Sequence, residues 1–225
     1  NMPGAINLGG VPDYLLMGIT VQDPLWFLDR FSGADNSASD RSPDIDRNGN
    51  GWSIQGGETW VITGGAAQME TDNAGGSEEM CLSNVGRSDL TIICDVQPGT
   101  IDITDRNSGI AFRCAVGDTA NWWLFWRDQN DSNWVVGKLI AGVFTSVATT
   151  DAPAMGDTTV INNMKVVLST NTMECSVNGT VLYGGLVTDS ALDDATAHGL
   201  FCARDTGAIF NDFKISLTDT SLSSG

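Results

Sequence analysis

Tryptophan and aspartate are the residues of this chain best suited to chemistry, and they crowd together in one stretch. Asn121-Trp122-Trp123-Leu124-Phe125-Trp126-Arg127 runs straight into a turn containing Asp128, Asn130, Asp131 and Asn133. An indole offers a broad apolar face on which the C–H face of a sugar ring can stack. Carboxylate and amide groups beside it can hold the hydroxyls. In an extended chain Trp122, Leu124 and Trp126 share one face, and Trp123, Phe125 and Arg127 share the other. Trp122, Trp126, Asp128, Asn130, Asp131 and Asn133 are therefore the candidate glycan contacts. The competing expectation is a strand buried on both sides, because large aromatics are mostly interior.

Other chemistry is sparser. Hydrolysis of a glycosidic bond needs two carboxylates about 5–9 Å apart across it. Glutamate occurs only at Glu58, Glu70, Glu78, Glu79 and Glu174, and no carboxylate cluster of that kind forms along a strand. Glu78 and Glu79 are adjacent, so in an extended segment they face opposite ways. His198 is the only histidine and reads as a polar residue before Gly199. No Gly-x-Ser-x-Gly surrounds a serine. No catalytic residue is assigned, and the expectation is a protein that is not an enzyme.

For metals, Asp44-Ile45-Asp46-Arg47-Asn48-Gly49 satisfies the first half of a calcium loop. The twelfth position is Gln55 rather than Glu, so a solvated turn is the better reading of Asp44, Asp46 and Asn48. No cofactor is required, and structural calcium is the one candidate ion.

At 225 residues and 41% hydrophobic composition, the chain suffices for one large domain plus an arm. Eleven Lys+Arg against 28 Asp+Glu give a formal net charge of −17. Such a surface repels nucleic acid and anionic membranes, so neither is an expected partner. No apolar run approaches the roughly 20 residues of a membrane-spanning helix. Cys94, Cys114, Cys175 and Cys202 lie in phase with apolar neighbours, and Cys81 makes the count odd. That pattern predicts reduced core thiols, hence folding in a reducing cytoplasm.

The elements that must position these residues are short strands. Ile110–Val116, Asn121–Arg127, Asn133–Ile140 and Gly142–Val147 are β-branched and aromatic, separated by Gly, Asp and Asn clusters. Further strands are expected around Trp60–Ile62, Asp89–Val96, Asn163–Ser169, Met173–Val177, Gly199–Ala203 and Ile209–Leu217. Asn178-Gly179 predicts a two-residue hairpin turn. Ser190–Ala195 alone predicts a helical turn, with Ser190 as its cap. A dozen or so evenly spaced strands imply an all-β, two-sheet antiparallel sandwich. Residues 1–27 hold Pro3, Pro12 and Pro24 beside apolar clusters, and are read as an extended N-terminal arm.

Leu28-Asp29-Arg30-Phe31-Ser32-Gly33-Ala34-Asp35, Gly51-Trp52 with Trp60-Val61-Ile62-Thr63-Gly64-Gly65-Ala66-Ala67, Ser108-Gly109-Ile110-Ala111-Phe112-Arg113 with Asn121-Trp122-Trp123, and Phe210-Asn211-Asp212-Phe213-Lys214-Ile215 stand in chain order. These phrases resemble those of concanavalin A-like lectin/glucanase sandwiches related to laminin-G-like domains. The resemblance covers residues 28–217, leaves 218–225 as a tail, and implies a jelly roll. It also implies a calcium between the first and last strands, held by Asp212 with backbone oxygens near Asp29. The Glu-x-Asp-x-x-Glu strand of the glucanase members is not present.

Sandwiches with this opening resemble phage virion proteins. The leading expectation is a capsid decoration protein in the virion, homo-oligomeric and bound to other virion proteins. Its arm anchors would be Tyr14, Leu15, Leu16, Met17, Trp26 and Phe27. The alternative is a lectin-like module or receptor-binding adhesin, extracellular, with cell-surface glycan as partner.

Overall fold

The computed structural model describes residues 25–57, 59–70, 78–99, 107–128, 131–153 and 160–217. Tyr14, Leu15, Leu16, Met17 and Asn130 lie outside the described residues.

Two antiparallel sheets face each other. The larger is built in the order β15 (Thr180–Val181), β14 (Thr172–Val177), β13 (Asn162–Ser169), β8 (Leu90–Gln97) and β18 (Ile209–Ser216). It continues through β6 (Ala66–Met69), β5 (Trp60–Thr63) and β2 (Asn36–Ser37). Joined to it are β1 (Leu25–Asp29), β3 (Ile45–Asp46) and β16 (Val187–Thr188). The smaller sheet runs β12 (Val143–Thr150), β11 (Asn133–Ile140), β10 (Trp122–Asp128), β9 (Asn107–Cys114), β17 (Ala197–Ala203), β7 (Glu79–Asn84) and β4 (Ser53–Gln55). This is the two-layer sandwich that the strand spacing predicts, in the jelly-roll form that the family resemblance implies.

Alternation builds the core. Leu90, Ile92, Cys94 and Val96 on β8 pack across the interior with Ile110 and Phe112 on β9, and Trp134 and Val136 on β11. Phe210 and Phe213 are three apart, so a regular strand would turn them to opposite faces. A bulge between Asn211 and Lys214, with Asp212 at φ 48°, brings both rings into the core.

All five cysteines are buried, and none is joined in a disulfide. Burial raises the thiol pKa of Cys81, Cys94, Cys114 and Cys175, which removes the reactive thiolate. All five thiols are therefore expected to react with Ellman's reagent about a hundredfold or more slowly in native protein than in denaturant. One fast native thiol would show that the core opens.

The Asn178-Gly179 turn joins β14 to β15 with Val177 paired to Thr180. Both turn residues have positive φ, 50° and 80°, as a type I′ turn requires. Ser190–Ala195 forms hydrogen-bonded turns and no helix. The cap comes from Asp189, whose carboxylate accepts the Ala191 N–H at 2.8 Å, so the expected Ser190 cap is corrected.

The arm boundary also shifts. Leu25–Asp29 is a strand paired with β18, Phe27 is fully buried, and the Trp26 indole N–H donates to the Val85 carbonyl at 2.9 Å. Trp26 and Phe27 therefore belong to the sandwich, and their rings are already engaged within it.

Candidate functional site

β10 divides its aromatics between two environments. Trp123 and Phe125 turn into the space between the sheets. The Trp123 ring stacks on Phe112 with centroids 6.0 Å apart, and its N–H donates to the Ala191 carbonyl at 2.8 Å. Trp122, Leu124 and Trp126 turn to the outer face of the smaller sheet, in a second apolar cluster with Met80, Ala111 and Phe201.

A gap in side-chain bulk makes this outer face concave. Gly109 on β9 stands in register between Trp126 on β10 and Phe201 on β17. With no side chain between them, the two rings meet above the backbone, centroids 6.3 Å apart at 69°. A Cβ at Gly109 would lie 2.1 Å from the Phe125 carbonyl oxygen. Glycine is required there by space, not by φ. Phe144 reaches in from β12, its ring 6.4 Å from Trp122 and 5.8 Å from Trp126. It lies over Gly137, where a Cβ would come within 2.9 Å of the ring.

Together these rings wall a cavity of about 360 Å³. Glu78, Asn107, Asp128 and Arg204 supply its polar lining. The rings are tilted against one another at 45°, 61° and 69°, so Trp122 and Phe201 are buried by their neighbours and Phe144, 48% exposed, is the ring most open to the cavity. Trp126 is only 7% exposed, and its indole N–H has no acceptor among the described residues. The buried Asn107 Oδ1 likewise has no donor among them. An unmatched donor and an unmatched acceptor at one pocket suit a ligand carrying both kinds of group.

Of the expected glycan contacts, Trp122, Trp126 and Asp128 come together in this pocket. Asp131 is exposed in the following turn, its N–H 3.4 Å from Asp128 Oδ1, and Asn133 pairs with Asp128 across the β10–β11 hairpin. Glu78, Asn107, Phe144, Phe201 and Arg204 went unassigned in the sequence. Two had a signal in the sequence: Phe201 alternates with the apolar Leu200 and Cys202, and Glu78 is adjacent to Glu79 and so faces the opposite way in an extended segment.

The calcium candidates have other partners. Asp29 Oδ1 accepts the Phe31 N–H at 2.7 Å, and Oδ2 accepts the Trp52 indole N–H at 2.8 Å. The Arg41 Nε donates to both oxygens at 2.7 and 2.8 Å, placing a guanidinium where a cation would sit. Asp212 is exposed on the neighbouring strand, while Asp29 points inward. Asp44 accepts the Arg30 N–H, Asp46 accepts three amide N–H groups of its own turn, and Asn48 donates to the Asn84 carbonyl. Among the described residues no three His, Cys, Asp or Glu side chains converge as a metal-binding group.

The two facing antiparallel sheets form a jelly-roll sandwich of concanavalin A-like architecture. Among solved structures the chain is similar to the carbohydrate-binding module CBM66 of Bacillus subtilis, at TM-score 0.60 and 19% identity, covering 75% of this chain and 97% of that one. It is also similar to the Bacillus licheniformis beta-glucanase, at TM-score 0.59 and 11% identity over 88% of this chain and 100% of that one. The same holds for SCLam, a non-specific endo-beta-1,3(4)-glucanase of family GH16, at TM-score 0.58 and 9% identity over 86% and 92%. At these identities the likeness is one of fold. No family model matches the chain, and no curated protein matches it.

These neighbours correct one expectation. The missing Glu-x-Asp-x-x-Glu strand led to the reading that the chain is not an enzyme. Two of the three structures just named are glucanases on the same sandwich. The missing motif therefore does not exclude catalysis.

Proposed function

We propose that this chain is a lectin-like carbohydrate-binding domain whose ligand occupies the pocket on the outer face of the smaller sheet. The observation that carries this is the cavity beside the buried outer-face cluster of Trp122, Leu124 and Trp126 on β10, with the half-exposed Phe144 as its open aromatic wall and a polar lining. A volume of about 360 Å³ lies at the small end of ligand pockets, room for one or two sugar rings but not a long chain. Stacking against the aromatic walls and hydrogen bonds to Asn107, Asp128 and the Trp126 N–H supply affinity and orientation.

The capsid-decoration reading gains no support from the fold neighbours, and the lectin-like alternative replaces it. Glycan-array screening followed by calorimetry, with and without calcium, tests the proposal. Binding at micromolar or weaker affinity is expected, and Trp126→Ala is expected to weaken it about tenfold or more. Circular dichroism of that variant must stay unchanged. A blank array under both conditions would remove the proposal.

A further inference from the structure

Resting on that carbohydrate reading, we infer that the preferred sugar carries a protonated amine, as a deacetylated amino sugar does. Three features of the pocket converge on this chemistry.

The first is charge. Among the described lining residues the carboxylates of Glu78 and Asp128 outnumber the Arg204 guanidinium. The whole chain carries −17, and its field attracts a cationic ligand and repels a uronic or sialic acid. The second is aromatic lining: the half-exposed Phe144 opens onto the cavity, with the Trp126 indole against it and Trp122 and Phe201 packed behind. Ring faces attract a positive charge, Trp most strongly, and the attraction grows when water is excluded.

The third is the pair of unmatched atoms. Asn107 Oδ1 needs a donor and the Trp126 N–H needs an acceptor. A hydroxylated ammonium provides N–H donors and hydroxyl oxygens in one molecule. Choline, a quaternary ammonium with no N–H, has a single hydroxyl for both unmatched atoms, where an amino sugar offers several donors and acceptors. An N-acetylated sugar would add bulk to a small cavity and remove the charge.

Calorimetry on the full chain with four probes tests this: the glucosamine disaccharide, its N-acetylated form, a neutral glucose disaccharide and choline. The glucosamine disaccharide is expected to bind about tenfold tighter than either other sugar, and tighter than choline. Glu78→Gln, an exposed position that leaves folding untouched, is expected to reduce that preference severalfold. Raising the pH until the amine is neutral is expected to abolish it.

Equal or tighter binding of the N-acetylated or neutral disaccharide would overturn the amine preference and leave the carbohydrate reading standing. Tighter binding of choline would replace the sugar with a plain organic cation. Binding of none of the four would count against both readings. An amine preference that survives unchanged in a folded Trp126→Ala protein would be general surface charge, and would also overturn the inference.

Discussion

Replacing Arg41 with methionine is expected to lower the free energy of unfolding by about 3–5 kcal/mol, the usual consequence of leaving a buried charge without its partner. Asp29 is 0% exposed and lies where β1 ends, in contact with the aromatic rings of the core. Phe27, Trp52 and Phe213 pack ring against ring beside it, at 5.1 to 5.9 Å. The Arg41 side chain is itself only 8% exposed, and it holds the carboxylate through Nε and through a 2.7 Å ion pair. Its remaining nitrogen donates to the Ser32 carbonyl.

Methionine keeps much of the bulk and removes every one of these donors. The carboxylate then keeps only the Phe31 N–H and the Trp52 indole. Urea denaturation should show a lower midpoint at unchanged slope, and adding Asp29→Asn should recover part of the loss by removing the stranded charge. A loss below about 1 kcal/mol would mean that water reaches Asp29 and that the pair behaves as a surface salt bridge.

This cluster also shows why the fold was legible in the sequence. Asp29, Phe31 and Trp52, on which the family resemblance rests, meet one another, and Asp29 bonds to both of the others. Phe31 sits at φ 55°, unusual for a large side chain, and Asp29 helps to pin it through the Phe31 N–H. Asp35, at the end of that phrase, accepts the Gly64 N–H and fastens the β5–β6 turn. What a lone sequence hides is which donor reaches which acid. Asp29 looks like a cation ligand until Arg41, twelve residues on, is seen to hold it.

The site was legible only in part. Alternation correctly separates Trp122 and Trp126 from Trp123 and Phe125, but it does not say which set faces the second sheet. The pocket depends on register: Gly109, Phe144 and Phe201 come from three strands and meet Trp126 only once those strands are aligned. Non-local pairing likewise explains Trp26 and Phe27. They look like part of an arm because the strand that receives them, β18, lies at the other end of the sequence.

The pH dependence of stability is expected to carry the signature of a single residue, since His198 is the only histidine. His198 is 0% exposed. Its Nδ1 accepts the Arg113 N–H at 3.2 Å, and its Nε2 lies 2.8 Å from the Arg87 carbonyl. An N–H already points at Nδ1, so Nε2 carries the proton and donates it to that carbonyl. A second proton would have to enter at Nδ1, against a donor. Burial is the main cause that lowers the pKa to about 4, and the nearby Arg113 guanidinium lowers it further, against the raising effect of the Arg87 carbonyl.

The unfolded chain titrates near 6.5. Above that pH the ring is neutral in both states and takes nothing from stability. Between 6.5 and about 4 the unfolded chain binds a proton that the folded protein refuses, so stability falls with falling pH. The total is about 3 kcal/mol, and it levels off below the folded value.

Two measurements check this. The Hε1 resonance of the single histidine should titrate near 4 in the native protein, far below an exposed imidazole. Urea midpoints should fall across that interval, and His198→Gln, which cannot be protonated there, should flatten the histidine share of the slope. A native titration near 6.5 would show instead that water reaches the ring, and that the Arg113–His198–Arg87 contact opens in solution.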